Sequence, residues 1–370
     1  MKLTVPSKHW RLEKRLACVL LVAACALPVS ATAAKHSKKP AGAASSQVTV
    51  PGPGYSQRLD ALQAADDIAQ RQQLDRDWVR QTLGQARYVA AIAKAVTPPA
   101  VGVAKNWQLY RSRFVEPLRI RAGVAFWLAH RDTLQRAERE TGVPADVIVG
   151  ILGVETIYGQ QTGNFRVLDA LATLAFDFPA SHPRAAERSA YFKTELEQFL
   201  SWTFSSGRDP LALKGSYAGA MGLPQFMPSS WARYAVDFDG DGAVDLLNSP
   251  ADAIGSVANY LKTFNWQPGL ATHFPLEFDA SKLDMAALMA PDILPTFSVE
   301  NFQAKGVVLG GEALKHPGKL ALIELQNGDA APSYVAGTDN FYAITRYNWS
   351  SYYALAVIEL GQAVAQAMPH

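Results

Sequence analysis

The sequence contains very little cysteine, and this scarcity limits the kinds of protein it can encode. Its two cysteines, Cys18 and Cys25, both lie in the apolar N-terminal segment. Because that segment has the pattern of an export signal, we expect no disulfide framework in the mature chain. An apolar core must supply the stability instead, and 49% of the 370 residues are hydrophobic. At about 150 residues per domain, a chain of this length allows two or three domains.

An excess of charge of either sign is also absent. The chain carries 35 Lys and Arg against 33 Asp and Glu, which gives a formal charge of +2. So small a charge offers no electrostatic footprint for nucleic acid or for an anionic membrane surface. The apolar run Leu16–Leu27 is far shorter than the about 20 residues that a membrane span requires.

The N-terminus has the order of a secretory signal. Basic residues precede the apolar run, and small residues follow it up to Ala34. Cys25 follows Val22-Ala-Ala, a pattern that resembles a bacterial lipobox, whereas Ala31-Thr-Ala33 allows ordinary cleavage near Ala34. Both alternatives predict export. Residues 35–55, rich in Gly, Ala, Ser and Pro, are predicted to be a disordered tether.

The remainder of the chain has mainly helical patterns. The region 205–248 is rich in Gly, Pro and Ser, and 270–340 contains short apolar and β-branched runs that predict a small β region. Helical patterns cover residues 57–96, 107–140, 144–158, 187–204, 250–263 and 350–366. We therefore predict a mainly α (α+β) fold.

Glu155 is the principal candidate for a catalytic group. It ends the run Pro144–Gly159, in which residues 147–154 are apolar or Gly on every side, as in a fully buried helix. Ile148, Ile151 and Glu155 share one helix face. A carboxyl held against this face without a counter-charge keeps its proton to higher pH, as a general acid must. The alternative is a helix-end Glu that pairs with an Arg or caps a turn.

The segment Asp237–Asp245 matches the start of an EF-hand loop. Asp237, Asp239 and Asp241 alternate, Gly242 allows a sharp turn, and Ala243 offers its carbonyl to a hard cation such as Ca²⁺. Asn248 replaces the usual closing Glu, and Asp252 is the candidate closing carboxylate. Asp252 is alternatively the acid of a helix-capping box, and the whole loop is alternatively a solvated acidic turn.

The glycine-rich segment Ser216–Ser230 is a candidate binding loop. Its glycines allow close backbone approach to a ligand. Ser216 and Gln225 can hydrogen-bond sugar hydroxyl and acetamido groups, while Met221 and Phe226 supply apolar faces for sugar rings. The alternative is a tight loop packed by its own Met and Phe side chains.

Several motifs together resemble the bacterial membrane-bound lytic murein transglycosylase B family, over about residues 57–366. They are Gly153–Gly159, Leu168–Leu174, Ser216–Ser230, Asp252–Tyr260 and Asn340–Asn348. The resemblance implies a lysozyme-like helical core with a calcium loop and a small β domain. It also implies cleavage of the β-1,4 bond between N-acetylmuramic acid (MurNAc) and N-acetylglucosamine (GlcNAc) in peptidoglycan, with a 1,6-anhydro-MurNAc end. We therefore expect a signal in 1–34, a helical domain in 56–140 joined by the helix 345–368, a catalytic core in 141–269 and a β domain in 270–344.

The resemblance also implies roles for individual residues. Glu155 matches the single catalytic acid and base, and Ser216 and Gln225 match cleft residues at the reaction centre. Positions that line the glycan groove are matched by Tyr110, Tyr260, Tyr347, Asn348 and Tyr353. The calcium ligands are matched by Asp237, Asp239, Asp241, the Ala243 carbonyl and Asp252. The chain departs from the family pattern at 179–190, so the contact of Arg184 or Arg188 with a stem peptide is left open.

The distribution of acidic residues along the sequence is consistent with a reaction that uses one catalytic acid. Near Glu155 the sequence offers no second acid, as in glycosidases in which the substrate assists its own cleavage. We expect no organic cofactor, a monomer, peptidoglycan glycan strands as the partner, and a location in the Gram-negative periplasm, either free or anchored to the outer membrane through Cys25. Three alternatives are a lysozyme-type hydrolase, a non-catalytic peptidoglycan-binding protein and a calcium sensor.

Overall fold

The computed structural model describes residues 54–97 and 105–369. The predicted signal, the lipobox at Cys25 and nearly all of the predicted tether lie outside the described residues. The tether was predicted to extend to Tyr55, but this predicted C-terminal boundary is wrong. Tyr55 is buried because its ring contacts Phe176, and its hydroxyl donates a hydrogen bond of 2.6 Å to Asp177.

Fifteen α-helices dominate the described residues, and the strands are short. The helices are α1 (Leu59–Gln72), α2 (Arg76–Gly84), α3 (Ala90–Ala95), α4 (Trp107–Arg111), α5 (Pro117–Ala129), α6 (Arg131–Thr141), α7 (Ala145–Thr156), α8 (Val167–Phe176), α9 (Ala185–Ser206), α10 (Pro228–Tyr234), α11 (Pro250–Thr263), α12 (Met285–Met289), α13 (Val299–Ala304), α14 (Asp339–Thr345) and α15 (Ser351–Gln366). The strands are β1 (Phe165–Arg166), β2 (Lys214–Gly215), β3 (His273–Pro275), β4 (Glu277–Phe278), β5 (Val307–Val308), β6 (Ala321–Asn327) and β7 (Ala330–Gly337), and a 3-10 turn covers Gly311–Lys315.

The described chain forms two compact units. One contains residues 54–97 and 165–213, and the other contains 105–164 and 214–369. This grouping differs from the predicted one, because 165–213 separates from the predicted core and joins the N-terminal helices. The physical reason is helix packing, since α8 packs against both α9 and α3. In the same unit, Arg58 forms an ion pair of 2.6 Å with Asp177.

The larger unit is organised around the helix pair α7 and α15. Helix α7 is almost entirely buried, as predicted, and α15 is buried along the face that includes Val357 and Gly361. Glycines bring them close together. A Cβ on Gly150 would lie 2.2 Å from the Val357 carbonyl oxygen, and one on Gly361 would lie 2.1 Å from that of Asp146. The C-terminal helix thus packs on the helix that carries Glu155, and also on α5.

A small β region lies within the larger unit. Strands β3, β7 and β6 form an antiparallel sheet in that order, and β4 pairs with β5. Its apolar cluster includes Leu288, Phe302 and Leu322. The predicted mainly α fold with a small β region is therefore confirmed. None of the helices in the described part of the chain has the length and apolar character that crossing a membrane requires.

Candidate active site

Glu155 lies in the last turn of α7. Its side chain is half-buried, and Tyr353 donates a hydrogen bond of 2.6 Å to Oε1. Burial raises the pKa of Glu155 to about 7, although the hydrogen bond from Tyr353 acts to lower it. No ion pair involves Glu155 within the described ranges, so the alternative of a Glu paired with an Arg is not met. At neutral pH this carboxyl is therefore divided between its protonated and ionised forms.

Three tyrosines from separate segments lie within electrostatic reach of Glu155. Burial raises the pKa values of Tyr110, Tyr347 and Tyr353, and the charge of Glu155 raises each of them further. The ring of Tyr347 stacks on that of Tyr353 with centroids 6.3 Å apart. Tyr353 begins the first buried turn of α15, so the α7–α15 contact itself brings its hydroxyl to Glu155.

The predicted binding loop is tied directly to the end of α7. Thr156, the residue after Glu155, donates a hydrogen bond of 2.8 Å to the carbonyl of Leu223. The hydroxyl of Tyr347 donates to the neighbouring carbonyl of Pro224. The structure therefore brings the loop, Glu155 and Tyr347 together, as the sequence predicted.

Ser216 and Gln225 are held firmly within this loop. Ser216 Oγ accepts hydrogen bonds from the backbone of Ala218 at 3.3 Å and Ala220 at 3.0 Å. Gln225 has a left-handed backbone with φ of 50°. Its Nε2 donates to the carbonyls of Thr162 at 3.1 Å and Gly222 at 2.9 Å. With Nε2 engaged, Oε1 is the atom through which this amide can accept a hydrogen bond from a ligand.

Other predicted groove residues are too buried to offer a broad sugar-facing surface. Met221, Phe226 and Tyr260 are 0%, 2% and 7% exposed. Phe226 instead packs against Tyr260 and Tyr347, and the Tyr260 hydroxyl donates to the carbonyl of Arg346. These side chains support the polar residues from behind, because the loop folds over its own apolar groups.

Two more predicted groove residues, Tyr353 and Asn348, are also buried. Asn348 Oδ1 is buried without a hydrogen-bond partner in the structure. Of the predicted tyrosines, Tyr110 and Tyr347 are the half-buried ones. Burial therefore assigns Tyr353 to Glu155 rather than to a sugar face.

Several aromatic neighbours of these residues were not predicted from the sequence. Trp107 and Tyr352 pack with Tyr110 at centroid distances of 6.3 and 5.7 Å. The spacing of Trp107, Tyr110 and Phe114 at i, i+3 and i+7 was a signal for such an aromatic helix face. The contribution of Tyr352 had no comparable signal, because it depends on the distant approach of α15.

The acidic loop gathers three of the predicted calcium ligands. Carboxylate oxygens of Asp237, Asp239 and Asp252 lie within 4.8 Å of one another. Asp241 is not in this group, and its Oδ1 accepts a 2.8 Å hydrogen bond from the backbone of Ala243. An all-oxygen donor set on alternating loop positions is the type that Ca²⁺ prefers. The residues therefore fit this cation, while the role of the Ala243 carbonyl stays a prediction.

Asp252 has two functions within the loop's own structure. It is buried at the start of α11, and Ser249 Oγ accepts a hydrogen bond from its backbone, as in the predicted capping box. Its carboxylate accepts hydrogen bonds from the backbone of Phe238 at 2.7 Å, Asp239 at 3.4 Å and Asp245 at 2.7 Å. The capping contact therefore uses the backbone of Asp252, its side chain organises the loop, and its role as a calcium ligand stays a prediction.

The segment 179–190 belongs to the other unit. Arg184 precedes α9 and forms an ion pair with Glu187. The contact of Arg184 or Arg188 with a stem peptide stays an open prediction.

The chain matches known sequences over most of its length. Residues 57–362 match the sequence profile of the Transglycosylase SLT domain. The membrane-bound lytic murein transglycosylase B of Escherichia coli K12 is 39% identical over 333 residues, which cover 85% of this chain and 85% of that protein.

Solved structures agree with the sequence match. The lytic transglycosylase Slt35 of Escherichia coli, in complex with calcium, aligns with a TM-score of 0.74 at 39% identity, covering 86% of this chain and 96% of that one. SltB3 of Pseudomonas aeruginosa, in complex with NAG-anhNAM-pentapeptide, aligns with a TM-score of 0.67 at 30% identity, covering 82% of this chain and 79% of that one.

Proposed function

Since this chain belongs to the Transglycosylase SLT domain family, we propose that Glu155 is the single acid and base of its reaction. The chain is a lytic transglycosylase, a lyase that acts on peptidoglycan. It cleaves the β-1,4 bond between MurNAc and GlcNAc and leaves a 1,6-anhydro-MurNAc end, which is the activity of the family.

One observation carries the assignment of Glu155. Its carboxyl has a pKa of about 7, and burial and the Tyr353 hydroxyl are the two influences on that pKa. A second acid close to Glu155 would raise its pKa further by repulsion between like charges, and no acid among residues 54–97 and 105–369 has that influence. A two-carboxylate mechanism therefore has no support at this site, whereas a mechanism with one carboxyl needs this arrangement.

The proposed reaction uses the same carboxyl twice. Protonated Glu155 first donates its proton to the glycosidic oxygen as the bond to C1 of MurNAc breaks. The acetamido carbonyl of MurNAc stabilises the positive charge that develops at C1. Ionised Glu155 then removes the proton of the C6 hydroxyl of the same sugar, whose oxygen attacks C1. This intramolecular attack gains from proximity and consumes no water.

Tyr353 supports the second half of this cycle. Its hydroxyl donates to Oε1 at 2.6 Å, so Oε2 is the oxygen left to exchange the proton with substrate. A hydrogen bond to an ionised carboxylate is stronger than one to a neutral acid. Tyr353 therefore limits the rise in pKa that burial causes, and this keeps both protonation states of Glu155 accessible near neutral pH.

Ser216 and Gln225 are proposed to orient the sugar. The amide of Gln225 is fixed by two backbone carbonyls, so its Oε1 has a defined direction for a hydroxyl or an acetamido N–H. Tyr110 and Tyr347 are proposed to contact the glycan, since their side chains are half-buried. In contrast, Met221, Phe226 and Tyr260 are proposed to hold this surface in place, because they are buried beneath it.

Mass spectrometry of digested peptidoglycan tests the proposed chemistry. Wild-type protein is expected to release muropeptides with anhydro ends, which are lighter by one water than the products of a lysozyme-type hydrolase. Glu155→Gln is expected to release neither product, because its amide cannot transfer the proton, and general acid–base catalysis is typically worth about 10²–10⁴-fold. Retention of wild-type turnover by Glu155→Gln would overturn the assignment of Glu155, and reducing-end products alone would overturn the intramolecular step.

We also propose that the loop from Asp237 to Asp252 binds Ca²⁺ for structural purposes. Asp237, Asp239 and Asp252 supply the carboxylates, and a bound cation would neutralise their mutual repulsion and cross-link the loop to α11. Support comes from the relative Slt35, whose structure is in complex with calcium. No chemical step requires the cation.

Finally, we propose that the protein is exported to the periplasm and retained there through lipid on Cys25. The lipobox-like sequence before Cys25 and the membrane-bound relative support this proposal. Stable anchoring needs two or more acyl chains, because a single myristoyl chain binds with K of only about 10⁴ M⁻¹. Cys25→Ser should move the protein from the membrane fraction to the soluble fraction. A wild-type protein that is already soluble, with its N-terminus near Ala34, would contradict the anchor.

A further inference from the structure

The turn that follows Glu155 has an unusual backbone. Ile157 and Tyr158 are consecutive non-glycine residues with φ of 51° and 56°. A β-branched residue such as Ile rarely adopts this left-handed conformation, which costs free energy and persists only where its surroundings enforce it. The backbone N–H groups of Ile157 and Tyr158 donate to the carbonyls of Gly153 and Leu152 at 3.2 and 3.1 Å. Glu155 thus lies two residues before a strained reversal of the chain.

The side chain of Tyr158 is wedged between two helices. A Cβ on Gly123 of α5 or on Gly153 of α7 would lie 2.4 Å from the Tyr158 hydroxyl oxygen. The ring also stacks on Phe126 with centroids 5.2 Å apart. Both glycines therefore provide the space that this hydroxyl occupies.

The Tyr158 hydroxyl is costly for stability. It is buried and has no hydrogen-bond partner in the structure. A buried polar group without a partner destabilises the folded state, so Phe at this position would be preferred for stability alone. Tyr at this position therefore calls for an explanation other than stability.

A buried arginine holds the other end of the same turn. Arg119 is 9% exposed, and its Nη1 donates a buried hydrogen bond of 2.8 Å to the carbonyl of Gly153. Its Nε donates to the carbonyl of Arg113 at 3.3 Å. Arg119 forms no salt bridge with any described residue. Burial lowers its pKa, against the opposing influences of Glu116 and Tyr158.

We infer that Arg119 and Tyr158 are positioning residues that fix the last turn of α7, and through it the carboxyl of Glu155. The inference rests on the proposed role of Glu155. Arg119 holds the Gly153 carbonyl before Glu155, and Tyr158 locks the strained backbone after it. The positive guanidinium also lies at the negative end of α7, where a cation stabilises the helix. Burying both groups lowers the stability of the folded state, and their function is to hold the carboxyl of Glu155 in one direction.

Steady-state kinetics together with calorimetry test this inference. Tyr158→Phe is expected to retain or increase the melting temperature while kcat falls about tenfold with KM nearly unchanged, because a small displacement of a reacting group can cost up to about 10²-fold. The matched control is Tyr55→Phe in the other unit, which loses the hydrogen bond to Asp177. This control should lower the melting temperature and leave kcat unchanged.

Two further variants address Arg119. Arg119→Met removes the donor to Gly153, and Arg119→Lys retains a charge and one donor. The measurement is made at a temperature well below the melting temperatures of both variants. There, kcat should be lower in Arg119→Met than in wild type and should recover in part in Arg119→Lys, again with KM nearly unchanged. Equal kcat in wild type, Tyr158→Phe and Arg119→Met would overturn the inference.

The parallel measurement on Glu155→Gln separates this outcome from failure of the proposed function. If Glu155→Gln is inactive while the Arg119 and Tyr158 variants have normal kcat, the positioning role alone is wrong. If Glu155→Gln is active, the proposed role of Glu155 is wrong, and the positioning role that rests on it is overturned as well.

Discussion

Glu155 and Asp252 are carboxylates at opposite ends of two buried helices in the same unit, and their environments are opposite. Glu155 is near the C-terminus of α7, where the helix dipole disfavours negative charge, and it receives one hydroxyl donor. Asp252 is near the N-terminus of α11, where the dipole favours negative charge, and it accepts from the backbone of Phe238, Asp239 and Asp245.

The difference shows how similar side chains acquire unrelated functions. Few donors and burial leave Glu155 ready to gain and lose a proton near pH 7. Three backbone donors fix the Asp252 carboxylate in place, so that it organises the loop around the candidate cation site. Position on the helix and the number of donors therefore separate the two functions. Each of the following predictions tests one side of this comparison, beginning with the largest effect.

Asp252→Asn should remove the organising charge of the loop. Because the single amide oxygen of Asn cannot accept from all three backbone donors, and an unsatisfied buried donor costs about 1–3 kcal/mol, we expect the free energy of unfolding to fall by about 3 kcal/mol. Chemical denaturation measures this loss. The control, Asp241→Asn, affects an exposed carboxylate that accepts from one backbone N–H and should cost less than about 1 kcal/mol. Equal losses in both variants would contradict the special role of Asp252.

Glu155→Gln should become more stable than wild type as the pH rises. The pKa of Glu155 is raised from 4.5 to about 7 on folding, so the folded state holds the proton more tightly than the unfolded chain. The stability that this tighter proton binding gives to the folded state is fully present below pH 4.5 and is lost as the pH rises to 7. At 1.36 kcal/mol per pKa unit, the full effect is roughly 3 kcal/mol.

Because Gln does not titrate, its advantage over wild type should be near zero at pH 4 and largest above pH 7. Urea unfolding across this pH range measures the difference. A constant difference at every pH would show that Glu155 has an ordinary pKa.

Calcium should raise the melting temperature. A ligand that binds only the folded state stabilises it by about 2.7 kcal/mol at one hundred times its dissociation constant. Asp237→Asn should abolish the rise in melting temperature that calcium causes. Asp66→Asn in the other unit breaks ion pairs with Arg76 and Arg80 and should lower the melting temperature without changing the response to calcium. An identical melting curve with calcium and with chelator would refute the site.

Tyr353→Phe should shift the pH dependence of the reaction by a smaller amount. The hydrogen bond from Tyr353 lowers the pKa of Glu155, so its loss raises that pKa above about 7. Because the acid step requires protonated Glu155, the alkaline decline of kcat/KM should move to higher pH. An unchanged or downward shift would remove Tyr353 from the proposed role.

Much of the site was predictable because its signals are local. The all-apolar run before Glu155 predicted a buried helix and a raised pKa. The alternating acids of Asp237–Asp241 predicted a loop whose carboxylates converge, and those of Asp237 and Asp239 do so, whereas that of Asp241 does not. Ser216 and Gln225 were recognised within one glycine-rich segment, and Thr156 binds that segment beside Glu155. Such patterns lie within a few residues of one another, where helix and turn geometry decide which side chains meet.

Other features depended on contacts that no local pattern encodes. Met221, Phe226 and Tyr260 looked suitable for sugar stacking, but they are buried. An aromatic residue has the same local signal whether it faces a cleft or the core, and packing by distant segments decides between the two. The grouping of 165–213 with the N-terminal helices likewise depends on long-range helix packing.

The sequence by itself determined the fold class, the helix whose last turn carries Glu155 and the acidic loop, because periodicity, composition and turn residues act over short distances. The tertiary structure alone decided that Tyr353, from a helix 198 positions away in the chain, would be the hydrogen-bond partner of Glu155. It also decided that Arg119 and Tyr158 would hold the turn around that residue. These contacts arise because glycines let helices approach closely, and the consequence of that approach appears only when the helices pack.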